Sequence, residues 1–241
     1  TIAARPVDGG IREDIPSKYK ERYEKWKAEL LSTSFGREQW DNYANNKAFV
    51  LRIVVNGSQK MGAGTDKFVW DDEGQLIGAT ITLGANIDEG FPNPIYYPVL
   101  NSLSLDPRVF PVNGKILAAT KISHELGHVN QASVANMKEV QLQNKLMPEY
   151  VSIFLNNGLN TGDKKLVDLA EQMGGTPVEI WESREYMSEV NAMLYLNARI
   201  SKESFYCQVF NKIRWNLQTY APEYERHFGA RQEFSASPCW K

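Results

Sequence analysis

The stretch Thr120 to Gln131 reads Thr-Lys-Ile-Ser-His-Glu-Leu-Gly-His-Val-Asn-Gln, and it constrains this chain more than any other. Within it, His124, Glu125 and His128 form the pattern H-E-x-x-H. On an α-helix, residues four apart lie one turn above each other on the same face, so both imidazoles can reach one ion. At about 2.0–2.1 Å that ion is a zinc bound through nitrogen. The glutamate between them sits beside the open position, where it can take a proton from metal-activated water and pass it to a leaving amine. Histidine is scarce, with three in 241 residues, and two of the three fall at this spacing. The competing reading is an amphipathic helix with two surface histidines. Periodicity favours the site: Ile116, Ala119, Ile122, Leu126 and Val129 recur on one side, while Leu117, Lys121, His124 and His128 line another. One side is expected to pack and the other to face a cleft. Gly127 costs about 1 kcal/mol against Ala in a helix interior, so a neighbouring strand or a substrate is expected to pass close to it.

Composition bounds the partners. With 42% hydrophobic residues, 23% charged and a net charge of -2, the chain has no electrostatic footprint for nucleic acid or an anionic membrane. No apolar run approaches the roughly 18–20 residues that span a bilayer, so a soluble protein is expected. The chain opens on Thr1 rather than Met, as expected after removal of a leader or at a chosen boundary. Cys207 and Cys239 are its only cysteines. They are compatible with one disulfide in an oxidising compartment, and so with a secreted or periplasmic protein, or with two thiols in the cytosol. Asn56-Gly57-Ser58 is a formal glycosylation sequon, but Asn-Gly reads better as a turn.

The order of elements predicts an α+β fold, mainly helical, with a small antiparallel sheet ahead of the H-E-x-x-H helix. Residues 1–15 read as an extended arm, 17–33 as a charged helix with Tyr19, Tyr23, Trp26 and Leu30 on one face, and 37–45 as a second helix. Phe49, Leu51, Ile53 and Val55 then alternate with Val50, Arg52 and Val54, the pattern of a strand. Residues 67–71 and 75–83 predict a hairpin about Asp72-Glu73-Gly74, giving about three strands. Residues 78–84 are expected to be an edge strand that holds an extended substrate through backbone hydrogen bonds. Residues 85–112, with five prolines and four interleaved aromatics, read either as a cleft rim or lid or as an irregular surface connection. Helices follow: 137–156 with a break or restart at Pro148, 164–173, one opened by Thr176-Pro177 and running to about Ile200, and 204–217. Residues 1–112 form an N-terminal lobe and 113–241 a helical lobe of one integrated catalytic domain.

A catalytic zinc takes three protein ligands and water. Gln131 and Val134 occupy the positions of a third-histidine continuation, and His227 lies about a hundred residues away, so a carboxylate is the better third ligand. The helix from Thr176 offers Glu182, Glu185 and Glu189 in an acidic stripe. Alone, such a stripe is most often a solvated face, but Met187, Val190, Met193 and Leu194 bury much of this helix, and buried carboxylates need a partner.

The motif His124-Glu125-Leu126-Gly127-His128, followed downstream by Arg184-Glu185-Tyr186-Met187-Ser188-Glu189, resembles the gluzincin metallopeptidases. It is closest to the CAAX-prenyl-peptidase-like branch, with its H-E-L-G-H and R-E-Y-x-A-D. The resemblance implies a zincin-like fold, with Glu185 as third zinc ligand and Glu189 orienting a zinc histidine from behind. It covers about 25 residues, and none of that branch's membrane helices. Ser188 stands where the family has Ala and Glu189 where it has Asp, which leaves Glu189 as the alternative ligand.

The expected function is a zinc-dependent metallopeptidase acting on a peptide or protein, with Glu125 as general base and then acid. The alternatives are hydrolysis of a non-peptide amide, or a non-catalytic binding or scaffold protein that retains the motif. Tyr186, Tyr195, Arg184 and His227 are all candidates for the oxyanion donor.

Overall fold

The computed structural model describes residues 1–89, 114–157, 162–220 and 222–240. Within them the chain runs β1 (Gly10–Asp14), α1 (Ser17–Leu30), α2 (Ser34–Ala44), β2 (Val50–Asn56), β3 (Ala63–Trp70), β4 (Leu76–Gly84), α3 (Gly114–Val134), α4 (Met137–Asn157), α5 (Lys164–Gln172), α6 (Pro177–Ile200), α7 (Tyr206–Tyr220), α8 (Pro222–Ala230) and α9 (Gln232–Ser235). This is the expected α+β class, with the sheet preceding the H-E-x-x-H helix. The proline- and aromatic-rich stretch read as a rim or lid lies, from residue 90 onward, outside the described residues.

The sheet has four strands in the order β1-β2-β4-β3 and is mixed, not antiparallel. β1 pairs parallel with β2, β2 parallel with β4, and only the β3–β4 hairpin is antiparallel. Alternation along a strand says that one face is buried; it does not say which strand lies alongside. The N-terminal arm supplies β1, which apolar alternation could not reveal because its burial depends on backbone pairing. Gly9 and Gly10 donate to the carbonyls of Lys47 and Phe49 at 3.0 and 2.7 Å, and a Cβ on Gly9 would lie 2.4 Å from both oxygens.

Two consequences reach the site. First, β4 lies between β2 and β3, so residues 78–84 are paired on both sides and are not an edge. Among the described residues the edge on that side is β3. Second, register puts Leu51 opposite Ala79, Ile53 opposite Ile81 and Val55 opposite Leu83, all buried, so these six make the apolar face beneath the helices. Thr65 is paired with Ile81 and therefore points to that same face.

Tyr23, Trp26 and Leu30 of α1 recur at helical spacing and are fully buried with the sheet residues in one core. α3 runs through this core and packs most extensively against α6. α6 starts as its sequence requires: Thr176 and Glu179 form a reciprocal capping box at 2.8 and 3.3 Å, with Pro177 at the first helical position. α4 continues through Pro148 as one helix, so the expected break there does not occur. α5, capped by Asp163, packs its Leu166, Leu169 and Ala170 with Met147, Tyr150 and Ile180 in a small second core. The tail is tied back by a Cys207–Cys239 disulfide, so the two cysteines are paired rather than free. No helix among the described residues is long and apolar enough to cross a membrane.

Candidate metal centre

The expected cleft-facing side of α3 is not found, because from Ile116 to Gly127 the helix is buried all round. His128 is the first site residue to approach the surface, with 13% of its side chain exposed. What covers the other side is α6, and Gly127 is the reason that it can. A Cβ there would lie 2.4 Å from Ser188 Cα, 2.6 Å from the Met187 carbonyl oxygen and 2.7 Å from Ser188 N. The close neighbour inferred from this glycine is thus a helix backbone, not a strand or a substrate. Ser188, itself small and buried, is the matching position on α6.

This close approach brings the ligand candidates together. Glu185 Oε2 lies 3.0 Å from His124 Nε2 and 3.4 Å from His128 Nε2. One ligand atom from each of the three residues can be chosen so that all lie within 4.8 Å of one another. Tetrahedral ligands at about 2.0–2.1 Å from an ion stand about 3.3 Å apart, so two of the three separations already match. Glu185 is 1% exposed, yet neither of its carboxylate oxygens has a hydrogen-bond donor of acceptable geometry among the described residues. The imidazole nitrogens and the carboxylate therefore converge on a common point rather than bonding each other, and a buried carboxylate in that position calls for a cation. The donor set fits a metal ion.

Glu189 occupies a different place. Its Oε1 lies 3.4 Å from His124 Nδ1, the ring nitrogen facing away from the convergence point. Glu185 and Glu189 thus take opposite edges of the same imidazole, and Glu185 is the one on the edge that faces the metal position. A carboxylate behind a ligating histidine fixes its tautomer and raises its basicity. Burial alone would lower the His124 pKa, but the adjacent carboxylates of Glu185 and Glu189 outweigh it and hold the pKa well above the usual range. Burial would likewise raise that of Glu185, and the imidazoles of His128 and His124 beside it reverse this and hold it low. Both directions belong to a site that favours positive charge between these groups. The side chain of Glu182, third in the stripe, lies outside the described residues.

Glu125 is 6% exposed and its carboxylate meets the sheet at β3. Thr65 on β3 donates to its Oε2 at 2.7 Å and to its carbonyl oxygen at 3.2 Å. That hydroxyl was not legible in the sequence, because its role follows from the register that turns it toward the helices. One turn earlier on α3, Lys121 is 1% exposed and donates to the Met61 carbonyl at 3.1 Å. Burial lowers its pKa to about 7 against the opposing pull of Asp88 and Glu125. Behind the histidines, Ser123 donates to Gln39 Oε1 at 2.5 Å, Gln39 donates to the Asn191 carbonyl at 3.0 Å, and Asn191 donates to the Ser123 carbonyl at 3.3 Å. This closed polar triangle pins α2, α3 and α6 together within one helical turn of His124 and Glu189.

Of the four candidate oxyanion donors, three do not line the pocket beside His128. Tyr195 is fully buried, with its hydroxyl at the Glu29 carbonyl. Tyr186 stacks on Phe228 and meets His227 edge-on, at 5.9 and 5.5 Å between ring centres. Only Arg184 borders the pocket beside His128, a cavity of about 60 Å³ walled by Thr65 and Phe68 of β3, residues of α3 and α4, and Arg184 itself.

Compared with known proteins, the chain matches no family model, no curated protein and no solved structure. The functional reading therefore rests on this cluster of side chains and on the motif that led to it.

Proposed function

We propose that this protein is a zinc-dependent metallopeptidase of gluzincin type, in which His124, His128 and Glu185 hold the metal. The observation that carries the reading is the convergence of both Nε2 atoms on one buried carboxylate oxygen, with a second carboxylate behind His124. When bound, zinc would acidify water and polarise a carbonyl. Glu125 would take the proton of the attacking water and return it to the leaving amine. Thr65, donating to Glu125 Oε2, fixes the plane in which that carboxylate works and leaves Oε1, to which no described side chain is bonded, for proton transfer. Glu189 keeps the His124 ring aligned through the turnover.

The geometry also supports a peptide over a compact amide as substrate. Among the described residues β3 is the outer strand on its side of the sheet, and Thr65 ties that strand to Glu125. An extended chain adding to the edge at Ala63–Asp66 would place a backbone carbonyl near the general base. The far end of the same edge is already taken, since Ala3 donates to the Trp70 carbonyl at 2.8 Å and Trp70 to the Thr1 carbonyl at 3.0 Å. Substrate binding would therefore be confined to the half of β3 beside the site. A protein with a disulfide and this chemistry suits an oxidising, secreted or periplasmic setting.

The test is Glu125→Gln, assayed for zinc content and for cleavage of a mixed peptide library. Zinc near one per chain in both proteins, with turnover reduced by about 10²-fold or more in the variant, is the expected result. Equal cleavage by the two would refute the assignment. Stoichiometric zinc with no hydrolysis by the wild type would leave the scaffold reading in its place.

A further inference from the structure

The pocket beside His128 carries information that the metal cluster does not. Among its described lining residues Arg184 is the only arginine or lysine; the rest are His128, apolar side chains, neutral amides and a hydroxyl, and none is acidic. Arg184 is 29% exposed, and its sole described ion-pair partner is Glu185 Oε1 at 3.8 Å, beyond hydrogen-bonding distance. It makes no hydrogen bond to a described residue. A guanidinium has five donors in a planar fork that matches a carboxylate, so most of the binding capacity of Arg184 is directed at the pocket. The cavity, about 60 Å³, has room for more than one water-sized group. Phe68, Ala132 and Val140 give an apolar wall for the methylenes of an acidic side chain, while Gln143 and Asn144 add neutral donors.

We infer that Arg184 makes this pocket a recognition site for a carboxylate on the substrate, one residue from the bond that is cut. The inference rests on the metallopeptidase reading and adds a substrate class to it: peptides with an acidic side chain next to the scissile bond, or with a free C-terminal carboxylate there. Arg184 and the metal-facing His128 line the same pocket, and the guanidinium lies 3.8 Å from Glu185 Oε1, so a carboxylate seated on Arg184 lies within one residue's reach of the metal position. Pairing there would set the register of a chain added to β3.

The experiment uses peptide hydroxamates, whose zinc-binding group is common to the series, and measures their binding by calorimetry to the zinc-loaded full chain. The pocket residue is Glu, its isostere Gln, or Leu, each with a free or an amidated C-terminus. Wild type is expected to bind the Glu compound at least about tenfold more tightly than the Gln compound, or the free C-terminus at least about tenfold more tightly than the amide. Whichever pair shows the difference identifies the source of the carboxylate. In Arg184→Gln that ratio should fall to about one, and Arg184→Lys should retain part of it. Zinc content and melting temperature of each variant are read alongside. Equal binding within both pairs by wild type, or an unchanged ratio in Arg184→Gln, would overturn the inference and leave the metallopeptidase reading standing. Loss of zinc, with all hydroxamates weakened alike in Arg184→Gln, would overturn it in favour of a role in holding Glu185. Failure of every hydroxamate to bind zinc-loaded wild type would instead defeat the metallopeptidase reading itself.

Discussion

Replacing Gly127 by Ala adds one methyl group and sets two effects against each other. Alanine in a helix interior is favoured over glycine by about 1 kcal/mol. The new Cβ, however, would meet Ser188 Cα at 2.4 Å, about 1 Å inside ordinary contact, with the Met187 oxygen and Ser188 N at 2.6 and 2.7 Å. All three atoms are backbone, so no rotamer change relieves the clash and α6 must move back from α3. Overpacking of this kind costs typically about 1–3 kcal/mol, occasionally more. Net destabilisation is therefore about 0–2 kcal/mol, a fall of a few degrees in Tm for a chain of this size. The site is the more sensitive reporter. Glu185 lies one turn before Ser188 on α6 and travels with it, whereas metal–ligand distances tolerate only about 0.2 Å. A displacement approaching 1 Å should lower metal affinity by at least the 10–100-fold typical of a disturbed outer contact. Zinc affinity by competition with a chromophoric chelator, together with thermal melts with and without metal, measures both. Gly127→Ala with wild-type zinc affinity and an unchanged or higher Tm would refute the close-approach argument, because propensity alone would then account for the result.

Three further outcomes follow from the geometry. Glu185→Ala should lose stoichiometric zinc by elemental analysis, whereas Glu189→Ala should keep it with affinity reduced about 10–100-fold; the reverse order would show that the carboxylate roles are exchanged. Lys121 has a folded pKa of about 7 against an ordinary 10.5, so between those values the unfolded chain holds a proton that the native chain has released. Native stability due to this group therefore rises with pH across that window, and the cost is complete below about pH 7. Lys121→Met should gain on wild type as pH falls from 10 to 7, by about 1.4 kcal/mol for each pH unit crossed. Urea melts at both ends would show a constant difference if the lysine were solvated. Cys207→Ala with Cys239→Ala removes a cross-link of sequence separation 32, worth about 3–4 kcal/mol by loop-closure entropy; an equal Tm under oxidising and reducing conditions would contradict this.

Much of the site was legible because its chemistry is local. Helical spacing by itself puts His124 and His128 on one face, and Glu185 and Glu189 on one face of another helix, since i and i+4 share a side whatever surrounds them. The Thr176-Pro177 start of α6 and the strand character of residues 50–55 are local in the same way, resting on capping and on period-two burial. Gly127 announced a close neighbour by its helix cost, without saying which. Pairing of elements is not local. β1 hid in a polar arm because its stability comes from backbone hydrogen bonds to β2, and the edge was misplaced because hairpin continuity cannot show that β2 comes alongside β4. Thr65 became the partner of Glu125 only through the register that turns it inward. The sequence by itself determined the two ligand-bearing helices and the residues each presents. Tertiary structure alone decided that the helices meet at Gly127 and Ser188, closely enough for both imidazoles to share one carboxylate oxygen. Periodicity orients a side chain about its own axis, whereas the distance between two axes is set by what packs between them.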